Sequence, residues 1–182
     1  MAHVIWWHVC LSLGCGFCMV GRADGSLSEY QVKALFLLNF AKYVDWPASS
    51  PAETNGPFTI GVFGENKFGD DLQKVVAGKN IGGRGFVVRQ IESAGDVGKC
   101  SILFISGSEK EHLAEILDGV KDSPILTVGE SEEFFKQGGG IKFTMKEGKV
   151  RLEVNLEATR RAHLQVSSKL LNVADTVKGK TN

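Results

Sequence analysis

From residue 58 to residue 136 the chain repeats one pattern, a short unbroken apolar run followed by a polar stretch with helical spacing. The runs are 58–63, 86–91, 101–105 and 125–128. Between and after them, Leu72, Val75 and Val76 mark a helix over 68–77. Leu113, Ile116 and Leu117 mark another over 109–120, and 130–136 reads as a short third. A run without polar alternation is a strand covered on both faces. Strands joined through helices return to the same end of the sheet and lie parallel. The expectation is an α/β fold of three layers. It has a mostly parallel sheet of about six strands, helices on both faces and a doubly wound order.

The flanks obey other rules. Ser26-Leu27-Ser28-Glu29-Tyr30-Gln31 holds two overlapping capping boxes, Ser26 with Glu29 and Ser28 with Gln31. Behind them Tyr30, Ala34, Leu37, Leu38, Ala41 and Val44 recur at helical spacing, and Pro47 stops the helix, predicted over about 28–45. Downstream, Ile141, Phe143 and Met145 alternate with Lys142, Thr144 and Lys146. Val150, Leu152 and Val154 alternate with Arg151, Glu153 and Asn155. Period two with one apolar face is an antiparallel, half-exposed hairpin that turns at Lys146-Glu147-Gly148-Lys149. A one-residue slip would expose a strand's whole apolar set, so its register is well fixed. Asn155 caps a final helix read over 156–177, with Arg160 and Arg161 on its exposed part.

Residues 1–23 stand apart. Residues 9–20 are apolar or small and uncharged, and shorter than the ~20 residues a membrane span needs. Gly21-Arg22-Ala23 suits a cut after Ala23, although no Lys or Arg precedes the apolar run. The expected organisation is a signal peptide over 1–23 and one α/β domain over 24–182, located in the periplasm. A lipid anchor at Cys15 is a minor alternative. Cys10, Cys15 and Cys18 fall in this leader. Cys100 is then the lone cysteine of the mature chain, and its position beside an apolar run predicts burial rather than reactivity. Twenty-one Lys and Arg balance twenty-one Asp and Glu, with no basic block, which excludes a nucleic-acid footprint.

Three strand ends share a chemistry. Gly64-Glu65-Asn66, Ser106-Gly107-Ser108 and Gly129-Glu130-Ser131 all fall at the carboxyl edge, where open parallel sheets bind ligands. Gly64, Asn66, Gly107, Ser108, Gly129 and Ser131 are therefore candidate ligand-binding residues. The same residue types are what tight strand-to-helix turns require in any case. Glu65 and Glu130 would repel a phosphate. His112 and His163 each sit alone on a predicted helix, with no second ligand at i+4, so no metal is expected. No G-x-S-x-G elbow occurs, no glycine motif opens a helix, and no cofactor is implied.

The order of motifs resembles the YfiR family, also called DUF4154. The residues that carry the resemblance are the helix from Ala34-Leu35-Phe36-Leu37-Leu38-Asn39-Phe40 to Asp45-Trp46-Pro47 and the strand ending Gly61-Val62-Phe63-Gly64. Cys100-Ser101-Ile102-Leu103-Phe104-Ile105, Pro124-Ile125-Leu126-Thr127-Val128 and Gly139-Gly140-Ile141-Lys142-Phe143 follow. Glu153-Val154-Asn155-Leu156 and Ser167-Ser168-Lys169-Leu170-Leu171 complete it. The resemblance implies an exported, non-enzymatic regulator that binds the periplasmic part of an inner-membrane diguanylate cyclase and represses it. Cyclic di-GMP signalling and biofilm formation fall as a result. It also implies that family members often pair a first-strand cysteine with the counterpart of Cys100. Here Gly61 stands in that place, so disulfide control is not expected.

Two readings compete. A regulator needs a partner surface, and the exposed faces of the hairpin and the last helix supply candidates: Lys142, Thr144, Arg151, Glu153, Arg160 and Arg161. A periplasmic small-molecule binding module would instead use a crevice joining Gly64, Gly107 and Gly129. The expected partner is the membrane cyclase or a similar sensor protein. A second copy of the chain is a further candidate.

Overall fold

The computed structural model describes residues 27–50 and 56–179. Helix α1 (Glu29–Tyr43) starts at the second of the two capping boxes: Gln31 N–H donates to Ser28 Oγ at 3.2 Å and Ser28 N–H to Gln31 Oε1 at 3.0 Å. It runs directly into β1 (Val44–Asp45). Then come β2 (Phe58–Phe63), α2 (Asp71–Val76), β3 (Phe86–Ile91), a 3-10 turn (Ala94–Lys99) and β4 (Ile102–Ile105). They are followed by α3 (Leu113–Val120), β5 (Leu126–Gly129) and α4 (Glu132–Lys136). The hairpin strands are β6 (Ile141–Lys146) and β7 (Lys149–Asn155). Helix α5 (Leu156–Arg161), β8 (Gln165–Val166), α6 (Ser168–Leu171) and β9 (Thr176–Lys178) close the described chain.

Seven strands form the main sheet in the order β3-β2-β4-β5-β6-β7-β9. From β3 through β6 every pairing is parallel. Because β3 lies outside β2 while β4 and β5 extend the other way, the order reverses between β2 and β4. That reversal is the switch point of a doubly wound sheet. The hairpin then turns antiparallel in the expected register, Ile141 opposite Val154, Phe143 opposite Leu152 and Met145 opposite Val150.

The double-sided apolar runs bury two cores. Ile60, Val62, Ile102, Phe104, Val128 and Phe143 face α1 through Ala34, Leu37 and Phe40. Leu103 and Ile105, pointing the other way from the same strand β4, meet Leu113, Ile116 and Leu117 of α3 and Phe134 of α4. Three layers result, helix, sheet and helix. Cys100 is fully buried beside the second core, and burial pushes its thiol up to about 11. Gly61 lies against it: a Cβ there would stand 2.5 Å from Cys100 Sγ and 2.9 Å from Ile91 Cγ1.

The continuous helix read over 156–177 does not form. It ends after α5, where His163 adopts a left-handed φ of 58° and Leu164 N–H returns to the Thr159 carbonyl at 2.8 Å, a Schellman-type stop. Released, the chain lays β8 antiparallel to β1 in a second, two-stranded sheet, and later sends β9 alongside β7. The leader and its cysteines lie outside the described residues.

Candidate functional site

The three strand-end loops meet at the carboxyl edge. Glu65 N–H donates to Ser108 Oγ at 3.0 Å, and Gly107 N–H reaches Glu130 Oε1 at 3.4 Å. Each candidate residue already has a local task. Asn66 Oδ1 accepts from Phe68 N–H at 3.1 Å and Ser131 Oγ caps α4 through Phe134 N–H at 3.1 Å. Gly64, at φ 85°, is crossed by the Glu109 and Ser108 side chains, within 2.5 and 2.6 Å of where its Cβ would lie. Gly129 is covered by the Phe134 ring and Gly107 faces Glu130. The space beside Gly64 and Gly129 is thus taken by the chain's own side chains, whereas at Gly107 Glu130 stands at ordinary contact distance, 3.6 Å from where a Cβ would lie.

At the centre of that edge is a cluster tying two distant segments together. Glu130 accepts from Tyr30 Oη at 2.9 Å and from Lys33 Nζ at 2.7 Å, both carried by the first turns of α1. Lys33 also pairs with Glu29 at 2.5 Å, and Lys67 Nζ approaches Glu130 at 3.9 Å. Lys33 is 3% exposed, an ammonium held inside the protein by two carboxylates. Burial alone would push the Glu130 carboxyl up. The hydrogen bond and charge of Lys33, with the Tyr30 and Gly107 donors, outweigh it and hold the group below its ordinary range. The Tyr30 phenol is pushed far above its ordinary value, first by burial and then by the carboxylate it serves. Sequence reading missed this cluster. The available signal was Lys33 itself, which sits three residues after Tyr30 and four before Leu37, on the stripe that α1 buries.

The hairpin face needs a correction. Lys142, read as an exposed candidate, is 1% exposed. Its ammonium is bound to Glu132 and, at 3.0 Å, to Glu153, and it lies 5.2 Å from the Phe135 ring centre. Burial pulls its pKa down, but both carboxylates pull it up more strongly and the net shift is upward. Helix α4 causes this by laying Phe135 and Glu132 over what would otherwise be a wet strand face. Met145, read as part of the buried alternation, is 49% exposed instead.

Thr144, Arg151 and Glu153 do share one open groove of about 580 Å³, together with Asp175. Arg160 and Arg161 stand elsewhere, at the end of α5. Arg160 Nη1 donates to the Gly179 carbonyl at 3.0 Å, and Arg161 borders a separate small cavity with Lys121. A second groove, of about 750 Å³, opens over Glu130 between Lys67, Lys110 and Met145. A third, of about 490 Å³, lies beyond Gly64, between β3 and α3. Among the described residues no helix is long and apolar enough to cross a membrane, and no group of three His, Cys, Asp or Glu is placed to hold a metal ion.

Sheet order and double-sided core together define a doubly wound α/β domain extended by an antiparallel hairpin. The chain belongs to the YfiR/HmsC-like family, DUF4154, whose model matches residues 30–175. Solved structures share the fold. One is a conserved domain protein from Vibrio cholerae, 12% identical at a TM-score of 0.57, where the match covers 84% of this chain and 61% of that one. Another is the ABC domain from Streptococcus pneumonia in complex with L-Trp. It is 11% identical at a TM-score of 0.51, with 79% and 60% covered. The chain thus spans about three fifths of the length of each. No curated protein sequence matches it.

Proposed function

We propose that this chain is an exported, non-catalytic regulator that binds the periplasmic part of an inner-membrane diguanylate cyclase and lowers its output of cyclic di-GMP. The observation that carries the reading is the family match across residues 30–175, which includes both cores and the hairpin. Such a protein needs a surface and no reaction centre. It would act by binding one conformation of the sensor more tightly than the other, so that the population shifts toward the inactive state. Its place is the periplasm, reached through the leader over residues 1–23.

The small-molecule reading has less support. One fold relative was solved with L-Trp, but at 11% identity that likeness speaks only to the fold. In this chain Glu109 and Phe134 fill the space beside Gly64 and Gly129, and Gly64 and Gly107 border two separate grooves rather than one crevice. The test is to add the purified chain to the detergent-solubilised cyclase of the same bacterium and follow cyclic di-GMP formation from GTP. A saturable fall in turnover is expected. Unchanged turnover together with no co-elution on gel filtration would contradict the proposal.

A further inference from the structure

The polarity of helix α1 is inverted for a helix at the surface of a lone domain. Its first lysine, Lys33, is turned inward and is 3% exposed, while Leu35 is turned outward and is 38% exposed. A surface helix ordinarily keeps its charges in water and its leucines in the core. Helix α2 leads into β3 at one end of the sheet, and α6 leads into β9 at the other. Both touch α1 along its flanks, and Leu35, Asn39 and Lys42 stay exposed on the ridge between them. That ridge reads alike from both ends. Three positions before Leu35 is Val32, and three after it is Leu38. Four before is Gln31, and four after is Asn39. Seven after is Lys42, and seven before is Ser28, beside Glu29. Residues at these spacings share one face of a helix. The two amides are half used, in opposite senses. Gln31 Oε1 accepts from Ser28 N–H at 3.0 Å, which leaves its Nε2 to donate. Asn39 Nδ2 donates to the Leu35 carbonyl at 2.9 Å, which leaves its Oδ1 to accept. Among the described residues nothing bonds Gln31 Nε2 or Asn39 Oδ1, and no carboxylate pairs with Lys42.

We propose that this ridge is an interface between two copies of the chain, packed antiparallel across a two-fold axis through Leu35. An interface of that symmetry needs a surface that complements itself, so that residue i faces j while j faces i. Leu35 meets its own counterpart at the axis, and Val32 meets Leu38 on either side of it. Gln31 Nε2 donates to the second copy's Asn39 Oδ1. Lys42 comes level with the second copy's Glu29, whose side chain is 39% exposed. Each contact off the axis occurs twice. Antiparallel packing also sets the amino end of each helix beside the carboxyl end of the other, which opposes their dipoles favourably. A parallel pair would set Lys42 beside Lys42 and leave the Gln31 donors facing each other. The pairing goes beyond the regulator reading: the chain would associate with itself whether or not it touches a cyclase.

The test is sedimentation equilibrium, over a range of micromolar concentrations, of the chain as purified from its native bacterium. A mass of two chains is expected. Leu35→Glu sets two carboxylates at the axis and should raise the dissociation constant of the dimer by about a hundredfold. Leu35 is exposed in one copy, so the fold should be kept, which an unchanged urea midpoint of the monomer checks. Lys42→Glu brings like charges level at both ends and should weaken the dimer by about fivefold, an effect that shrinks with added salt. Leu35→Cys should close a disulfide-linked dimer on mild oxidation, because the axis brings the two new thiols together while Cys100 is buried. Val173→Cys, at a residue 56% exposed but off the ridge, should stay unlinked. A monomer at every concentration overturns the inference. So does a dimer that survives Leu35→Glu, or one that Val173→Cys links and Leu35→Cys does not. A monomeric chain whose cyclase binding is lost in Leu35→Glu also overturns it, since the ridge would then belong to the cyclase. A dimer that leaves cyclase turnover unchanged contradicts the regulator and leaves this interface standing.

Discussion

Glu130 accepts from Tyr30, Lys33 and Gly107 at once, so its loss strands a buried ammonium and a phenol. Glu29 remains within 2.5 Å of Lys33 and softens the effect. Glu130→Ala is expected to cost about 2–4 kcal/mol in urea unfolding, with Glu130→Gln costing less because an amide oxygen still accepts. The pH dependence has a definite sign. A carboxyl held low in the folded state stabilises at pH above its unfolded value, and that contribution is lost as pH falls through the folded one. Stability of the wild type should therefore fall more steeply below the ordinary carboxylate range than that of Glu130→Gln. At the opposite side of the sheet, Gly61 has no room for a methyl group. Gly61→Ala should cost about 1–3 kcal/mol by overpacking Cys100 and Ile91. The buried, raised Cys100 thiol should resist alkylation at neutral pH until the chain unfolds. Rapid modification of the native protein would contradict that packing.

At the scale of elements, helix α4 is keyed to the sheet by Phe134. Its ring lies over Gly129 and against Gly139, where an added Cβ would overlap it. Gly139→Ala should lower stability by about 2–3 kcal/mol, read as a shifted urea midpoint at unchanged slope. A neutral result would mean that α4 moves freely. The same helix shows where sequence reading stops. The period-two hairpin was legible down to its register, because alternation and the Glu147-Gly148 turn are local signals. The burial of Lys142 was not, because it depends on Phe135 and Glu132 arriving from another element. The final helix misled for a different reason. Leu164, Leu170 and Leu171 keep helical spacing, and no glycine or proline interrupts 156–172. The break rests on His163 entering a left-handed conformation that histidine adopts only occasionally.

For the whole molecule, the apolar runs and crossover helices led directly to the doubly wound order. Where the three loops meet was legible too, since strand ends of a parallel sheet share one edge. What fills that edge was not, because Tyr30 and Lys33 lie about a hundred positions from Glu130 and no local pattern links them. Export is the remaining premise at this scale. Protein purified from the native periplasm should begin near Asp24 on amino-terminal sequencing, and cytosolic material retaining Met1 would contradict that location. The central claim is repression by contact with a membrane cyclase. Deleting the gene in its own bacterium and measuring cellular cyclic di-GMP tests it most directly. The level should rise, return to normal with the full chain and stay high with a version lacking residues 1–23. A level unchanged by the deletion under biofilm-forming conditions would contradict the account.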